Sequence, residues 1–237
     1  MAGAEAQTRS SSAGLRLLGL LAALTPTPAL AGAWVAPKGG QEILTTSVGQ
    51  RSELLFYEGA YYREDPFAER NALVTGWWTE SNYDSEDGWR AEATVGVKRA
   101  LYRGERSVVA VQAGALWISH PNGECDEGGA EVRALGGRSF GASGFADVEV
   151  AARALNGGCE GGRVDLTAGY RPRENWLALG QVFLDSPLEG DDSIRAQLTV
   201  VRFGRSGRGV QVGVRARLDG EEAEPTLVIG LWGRPGD

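Results

Sequence analysis

Through most of the chain, apolar and polar positions alternate with a period of two. Trp89, Ala91, Ala93, Val95 and Val97 share one side, against Arg90, Glu92, Thr94, Gly96 and Lys98 on the other. Ala146, Val148, Val150, Ala152 and Ala154 likewise oppose Asp147, Glu149 and Arg153. Val210, Val212, Val214, Ala216 and Leu218 oppose Gln211, Gly213, Arg215 and Arg217. Successive side chains of a strand point to opposite faces, so each segment has one apolar face and one charged face. No stretch after residue 32 sustains the 3.6-residue helical period. The alternation predicts about twelve strands, at 41–48, 52–62, 69–80, 89–102, 106–118, 130–136, 142–154, 163–171, 176–185, 193–203, 209–218 and 225–232. Many have the roughly 9 to 11 residues that a tilted strand needs to cross a bilayer. The sixth and the last are short, and 108–119 and 176–185 are apolar on both sides, which leaves their facing open.

The connections sort by parity. From the fourth strand on, every second one is basic, at 99–106, 136–141, 171–175 and 203–208, with Arg99, Arg103, Arg106, Arg138, Arg171, Arg173, Arg205 and Arg208 against only Glu105 and Glu174. The other set, at 80–88, 119–129, 155–162, 185–193 and 218–225, is rich in carboxylates and holds no Lys or Arg. An up-and-down meander with two chemically different ends has this pattern; the first two connections, near 50–52 and 63–69, do not follow it. Trp77, Trp78, Trp89 and Trp117 fall at strand ends beside acidic loops. Tyr61, Tyr62, Tyr102, Tyr170, Trp176, Phe203 and Trp232 fall at the basic-turn ends. Aromatic rings at both rims match the girdles of membrane barrels.

Ahead of this region, Arg9 and Arg16 precede an apolar run from Leu17 to Leu24, and Ala29-Leu30-Ala31 precedes Gly32. Basic region, short apolar region and small residues at a cleavage site are the order of a secretory leader, which predicts cleavage after Ala31 and a single domain over 32–237. The apolar run is too short to span a bilayer as a helix. Composition then narrows the function. The chain has 237 residues, 35 glycines, one histidine and a net charge of −7. With no basic cluster it is a poor nucleic-acid binder. One histidine and two cysteines disfavour zinc hydrolases, which need three or four ligands.

Export, about twelve alternating strands, basic turns on one side and acidic loops on the other make the chain similar to the Gram-negative outer-membrane β-barrels. The resemblance covers essentially all of 32–237 and rests on pattern. It implies an all-β, up-and-down antiparallel transmembrane barrel, inserted by the barrel assembly machinery among outer-membrane lipids and lipopolysaccharide. Such barrels usually finish on an aromatic residue; here Trp232 is followed by Gly233-Arg234-Pro235-Gly236-Asp237. A membrane barrel sends Val, Ala and Leu outward and charges inward, whereas a soluble barrel does the reverse.

On the membrane reading the interior receives Arg90, Glu92, Lys98, Glu131, Arg133, Asp147, Glu149, Arg153, Arg163, Asp165, Arg195, Arg215 and Arg217, with cations in excess. Arg215 and Arg217, next to Arg195, are expected to set a residual positive field. The function expected is a narrow passive channel or a structural membrane protein, with no catalytic residues, metal or cofactor. The alternatives are an outer-membrane lipid hydrolase and a barrel whose loops bind a surface partner or assist assembly. Outer-membrane lipases of similar fold place a His and a Ser two residues apart on one strand. In this chain Ser119 directly precedes His120, so a strand would point them to opposite faces, and Pro121 breaks the ladder. Gly137-Arg138-Ser139-Phe140-Gly141 matches a nucleophile-elbow string, but no histidine follows it and no helical pattern does either, so a glycine-rich turn is expected. Cys125 and Cys159 lie in consecutive acidic loops, so an oxidising compartment predicts a disulfide. The rival reading is a thiolate metal site with His120, Asp126, Glu127 and Glu160 nearby.

Overall fold

The computed structural model describes residues 32–237 apart from 52–53, 83–87, 120–124, 126, 189–191, 220–223 and 234–237. Residues 1–31, where a leader is expected, and His120 therefore lie outside the described residues. Twelve strands follow one another: β1 (Gln41–Arg51), β2 (Leu54–Ala68), β3 (Asn71–Asn82), β4 (Trp89–Arg103), β5 (Ser107–Ser119), β6 (Gly128–Phe140), β7 (Gly144–Leu155), β8 (Glu160–Arg173), β9 (Trp176–Ser186), β10 (Ser193–Phe203), β11 (Gly209–Arg217) and β12 (Thr226–Gly233). Each pairs antiparallel with its sequence neighbours, and β1 pairs with β12, so the sheet is a closed barrel. Closure satisfies every ladder and leaves no edge, the condition for a sheet to sit in lipid.

The registers fix the facing of every strand. Val95, Val97, Val150, Val210, Val212 and Val214 point outward and are about half exposed, while Lys98 and Arg153, on the opposite faces of β4 and β7, are buried. That is the membrane assignment and excludes the soluble one. The segments with two apolar faces are also resolved. Val108, Ala110, Leu116 and Ile118 of β5 point inward, as do Leu177 and Leu179 of β9. The sixth strand is not short: Gly136 and Gly137 carry no side chain to show the alternation, yet both are paired in a ladder that runs to Phe140.

The girdle needs correction for six rings. Trp78, Tyr62, Phe203 and Trp232 occupy inward positions, each in register with another interior residue. Phe203 and Trp232 pack edge to face with centroids 6.0 Å apart, and the Trp232 indole N–H donates to Gln211 Oε1 at 2.7 Å. Tyr61 stacks on Trp77 outside the barrel, near the middle of β2 and β3 rather than at a rim. The outer rims carry Trp89 and Trp117 at the acidic-loop end, and Phe67, Tyr102, Phe140 and Tyr170 at the basic-turn end.

Nothing in the alternation foretold residues 32–40. This segment enters the barrel from the basic-turn end. Ala33 is fully buried against Ala100, Val108, Ala110 and Leu135, with Trp34 and Val35 beside them. Trp34 also reaches the second apolar cluster of Phe145, Leu177, Leu179 and Val201, meeting the Phe145 ring edge to face at 6.3 Å. Its indole lies on Gly137, where a β-carbon would overlap the ring. Gly39 and Gly40, at φ of 98° and 75°, lead the chain from this inner segment into β1 in a backbone conformation that favours glycine.

Candidate functional site

The chemistry of the barrel is in its interior. Arg90, Glu92, Lys98, Glu149, Arg153, Arg195, Arg215 and Arg217 all occupy inward positions of the register, as do Glu131, Arg133, Asp147, Arg163 and Asp165. Six further charged residues share the lining: Arg51, Glu58, Glu64, Glu80, Arg171 and Asp185. Four of these are acids, so the expected excess of cations is corrected to near balance.

The pairs fall into three groups along the axis. Nearest the basic turns, Lys98 bonds Glu64 at 2.9 Å, and neither side chain is more than 1% exposed. Tyr62 donates its hydroxyl to Glu64 Oε2 at 2.6 Å, and the Ala36 N–H donates to Oε1 at 2.8 Å. Lys98 also donates to the carbonyls of Gly32 and, at 2.9 Å, of Trp34. This pair therefore clamps the inner segment.

In the second group Arg153 bridges Glu131 at 3.0 Å and Glu92, three strands away on β4, while Arg133 pairs with Glu131 at 2.6 Å and Glu149 at 3.3 Å. Arg90 completes it, 2.7 Å from Glu92. The third group lies toward the acidic loops. Arg215 on β11 pairs with Glu58 on β2, which also accepts from the Ser47 hydroxyl at 2.8 Å. Arg195 lies 3.6 Å from Glu58 and 3.7 Å from Asp185, and its buried Nε has no partner among the described residues. At the mouth Arg51 joins Glu80 and Glu224 at 3.0 and 3.1 Å. Arg217 pairs with Asp219 at 2.9 Å, and that hydrogen bond holds the Asp219 carboxyl below the usual range. Of the three arginines expected to act together, Arg195 and Arg217 are direct cross-strand partners and Arg215 sits opposite Gln197, so they form one row on β10 and β11.

The acidic-loop end also has a cover. Cys125 and Cys159 form the disulfide, with Cα atoms 6.0 Å apart, packed on Leu116, Ile118, Leu155 and Leu188. The thiolate metal site is thereby overturned, because neither sulfur is free to ligate. The crosslink ties the β5–β6 loop to the β7–β8 loop, over one side of the mouth. Replacing both cysteines with serine is expected to cost up to about 4 kcal/mol by loop-entropy arithmetic. Urea titration of the refolded variant checks the magnitude; thiol labelling of the intact, unreduced chain should find no free sulfhydryl. The Gly137–Gly141 string lies at the end of β6 and in the turn after it, with Gly141 at φ of 63°, and is the glycine turn expected.

These features define a closed, twelve-stranded β-barrel of the outer-membrane type, with an apolar outside and a charged, partly filled inside. No family model matches the sequence, nor does any curated protein. Solved structures do match in fold. An outer-membrane channel from Pseudomonas putida F1 aligns with a TM-score of 0.60 at 10% identity, over 85% of this chain and 98% of that one. A KdgM porin in complex with disordered oligogalacturonate aligns at 0.55 and 6% identity, over 80% and 97%. The same porin in a second structure aligns at 0.53. These neighbours are outer-membrane proteins, and the likeness is one of fold.

Proposed function

We propose that the barrel is a narrow passage for small anionic solutes, with its basic-turn end filled by residues 32–40. The observation that carries this reading is the arginine row on β10 and β11, and Arg195 above all. Most interior cations are held in short ion pairs. Among the described residues Arg195 has only two long contacts, so its guanidinium, 21% exposed, retains hydrogen-bonding capacity for a carboxylate or phosphate in the lumen. A nearly level total charge does not cancel this, because selectivity follows the donors and charges that line the narrow part of the path. Twelve strands enclose a lumen intermediate between a filled eight-stranded barrel and a wide porin. Hydrolysis has less support: Ser119 is in register with outward-facing Ala91.

Planar-bilayer recordings test the proposal. The intact chain is expected to give a small conductance favouring anions, and Arg195→Gln to remove most of that preference. Removing Ala33–Lys38 should enlarge the conductance several-fold, in the range that opening a filled lumen implies. Absence of conductance in both the intact and the shortened chain, or an ion preference unchanged in Arg195→Gln, overturns it.

A further inference from the structure

Among the described residues, Asp147 is the interior acid that forms no salt bridge. It is 7% exposed, and its Oδ2 has no hydrogen-bond partner among the described residues. Its registered neighbours across the sheet are Gly137 and Thr167. Lys98 acts on it through space but gives it no hydrogen bond, because a lysine ammonium has three hydrogens and these go to the Gly32 carbonyl, the Trp34 carbonyl and Glu64. A buried carboxylate left in this state is costly.

What lies against it is Gly32. A β-carbon at that residue would sit 2.7 Å from Asp147 Oδ1 and meet Glu149 Oε1 as well. Gly32 is also the residue that the leader pattern makes the first of the exported chain. We propose that Asp147 and Glu149 form an internal binding site for the α-ammonium group of Gly32, created when the leader is cleaved after Ala31.

Hydrolysis of the Ala31–Gly32 peptide bond adds one water. The carboxyl group leaves with the leader, and the new amine takes up a proton at neutral pH. The Gly32 nitrogen thus changes from a neutral amide with one hydrogen to a cation with three. Those hydrogens match the open Asp147 Oδ2, its Oδ1, and Glu149, whose ion pair among the described residues is with Arg133 at 3.3 Å. The site also suits glycine at this position, where a β-carbon would push both carboxylates aside. It discriminates processed from unprocessed chains. An uncleaved chain brings no charge to Asp147 and must route its leader past the same acids. Seating of the inner segment is therefore coupled to leader removal, and the cation completing the interior comes from processing rather than from a side chain.

The test uses the full chain exported with its leader and purified from membranes. N-terminal sequencing should find Gly32; another terminus overturns the proposal at its first step. Hydrogen exchange read by mass spectrometry should then show the Ala33–Ala36 amides protected. In Asp147→Asn/Glu149→Gln that exchange should rise about tenfold, the order expected for losing a charge-assisted hydrogen bond. Because the double variant has the potential to misfold, a second arm keeps both acids. The mature chain is unfolded, its terminal amine acetylated selectively at about pH 6, where the lysine amines stay protonated and mass spectrometry confirms that Lys98 is unmodified, and refolded beside an untreated control. Acetylation should raise exchange to the same degree. Protection unchanged by acetylation, or an α-amine that labels as fast in the folded as in the unfolded chain, overturns the site.

Discussion

Lys98→Met is expected to destabilise the barrel by about 3 to 5 kcal/mol, the range for removing one partner of a buried ion pair. The cause is what remains. Glu64 is fully buried, and without Lys98 its charge keeps only the Tyr62 hydroxyl and the Ala36 N–H. The same lysine holds two carbonyls of the inner segment, so the variant should loosen residues 32–36 as well as the wall. Urea unfolding in lipid vesicles measures the first effect and protease access to the segment the second. Lys98→Met/Glu64→Leu, which removes both charges, should recover most of the loss in stability but not the clamp. A single-variant cost below about 1 kcal/mol, the level of an exposed pair, would contradict this account of the contact.

The second large effect concerns the outside. Val95→Arg and Val150→Arg should each cost about 2 to 4 kcal/mol, because both sit near the centre of a strand on the apolar face, where an arginine meets the bilayer midplane. Leu218→Arg, just beyond β11 at the acidic-loop rim, should cost no more than about 1 kcal/mol. The contrast between centre and rim, read by unfolding in vesicles and by heat-dependent migration on gels, separates lipid exposure from a general intolerance of arginine. Equal costs at all three positions would put the belt in the wrong place.

Strand number and topology were legible because the period-two signal is local: Val95 against Lys98, or Val150 against Asp147, states its face without knowledge of the rest. The signal fades where one face has no side chain, as at Gly136 and Gly137, or where both faces are apolar, as in β5. It also fades in β2, where Tyr57-Glu58-Gly59-Ala60-Tyr61-Tyr62 shows no clean alternation, and that is where Glu58 and Glu64 escaped notice. Aromatics misled for a related reason. A ring near a strand end serves equally as a rim anchor or as filling, and only the cross-strand register distinguishes Trp89 from Trp78. The disulfide was readable because parity alone put both cysteines at one end. The inner segment was not, because Ala33 and Trp34 belong to no periodic pattern and their partners lie on β4 to β10, visible only once the barrel is closed.

That closure rests on a single seam. Eleven of the ladders join consecutive strands and are hairpin contacts, local in sequence, while the β1–β12 ladder pairs Glu42 with Gly233 across nearly the whole chain. Loop-closure entropy makes such a contact slow to form, and contacts between near neighbours form sooner. Assembly therefore has a built-in order, with a curved sheet of hairpins first and the seam last. The clamp on residues 32–36 draws on β2, β4 and β7, all present in that open sheet, and the segment is joined directly to β1. The filling can thus be laid against the wall before the wall shuts, so the barrel need not be threaded after it has closed.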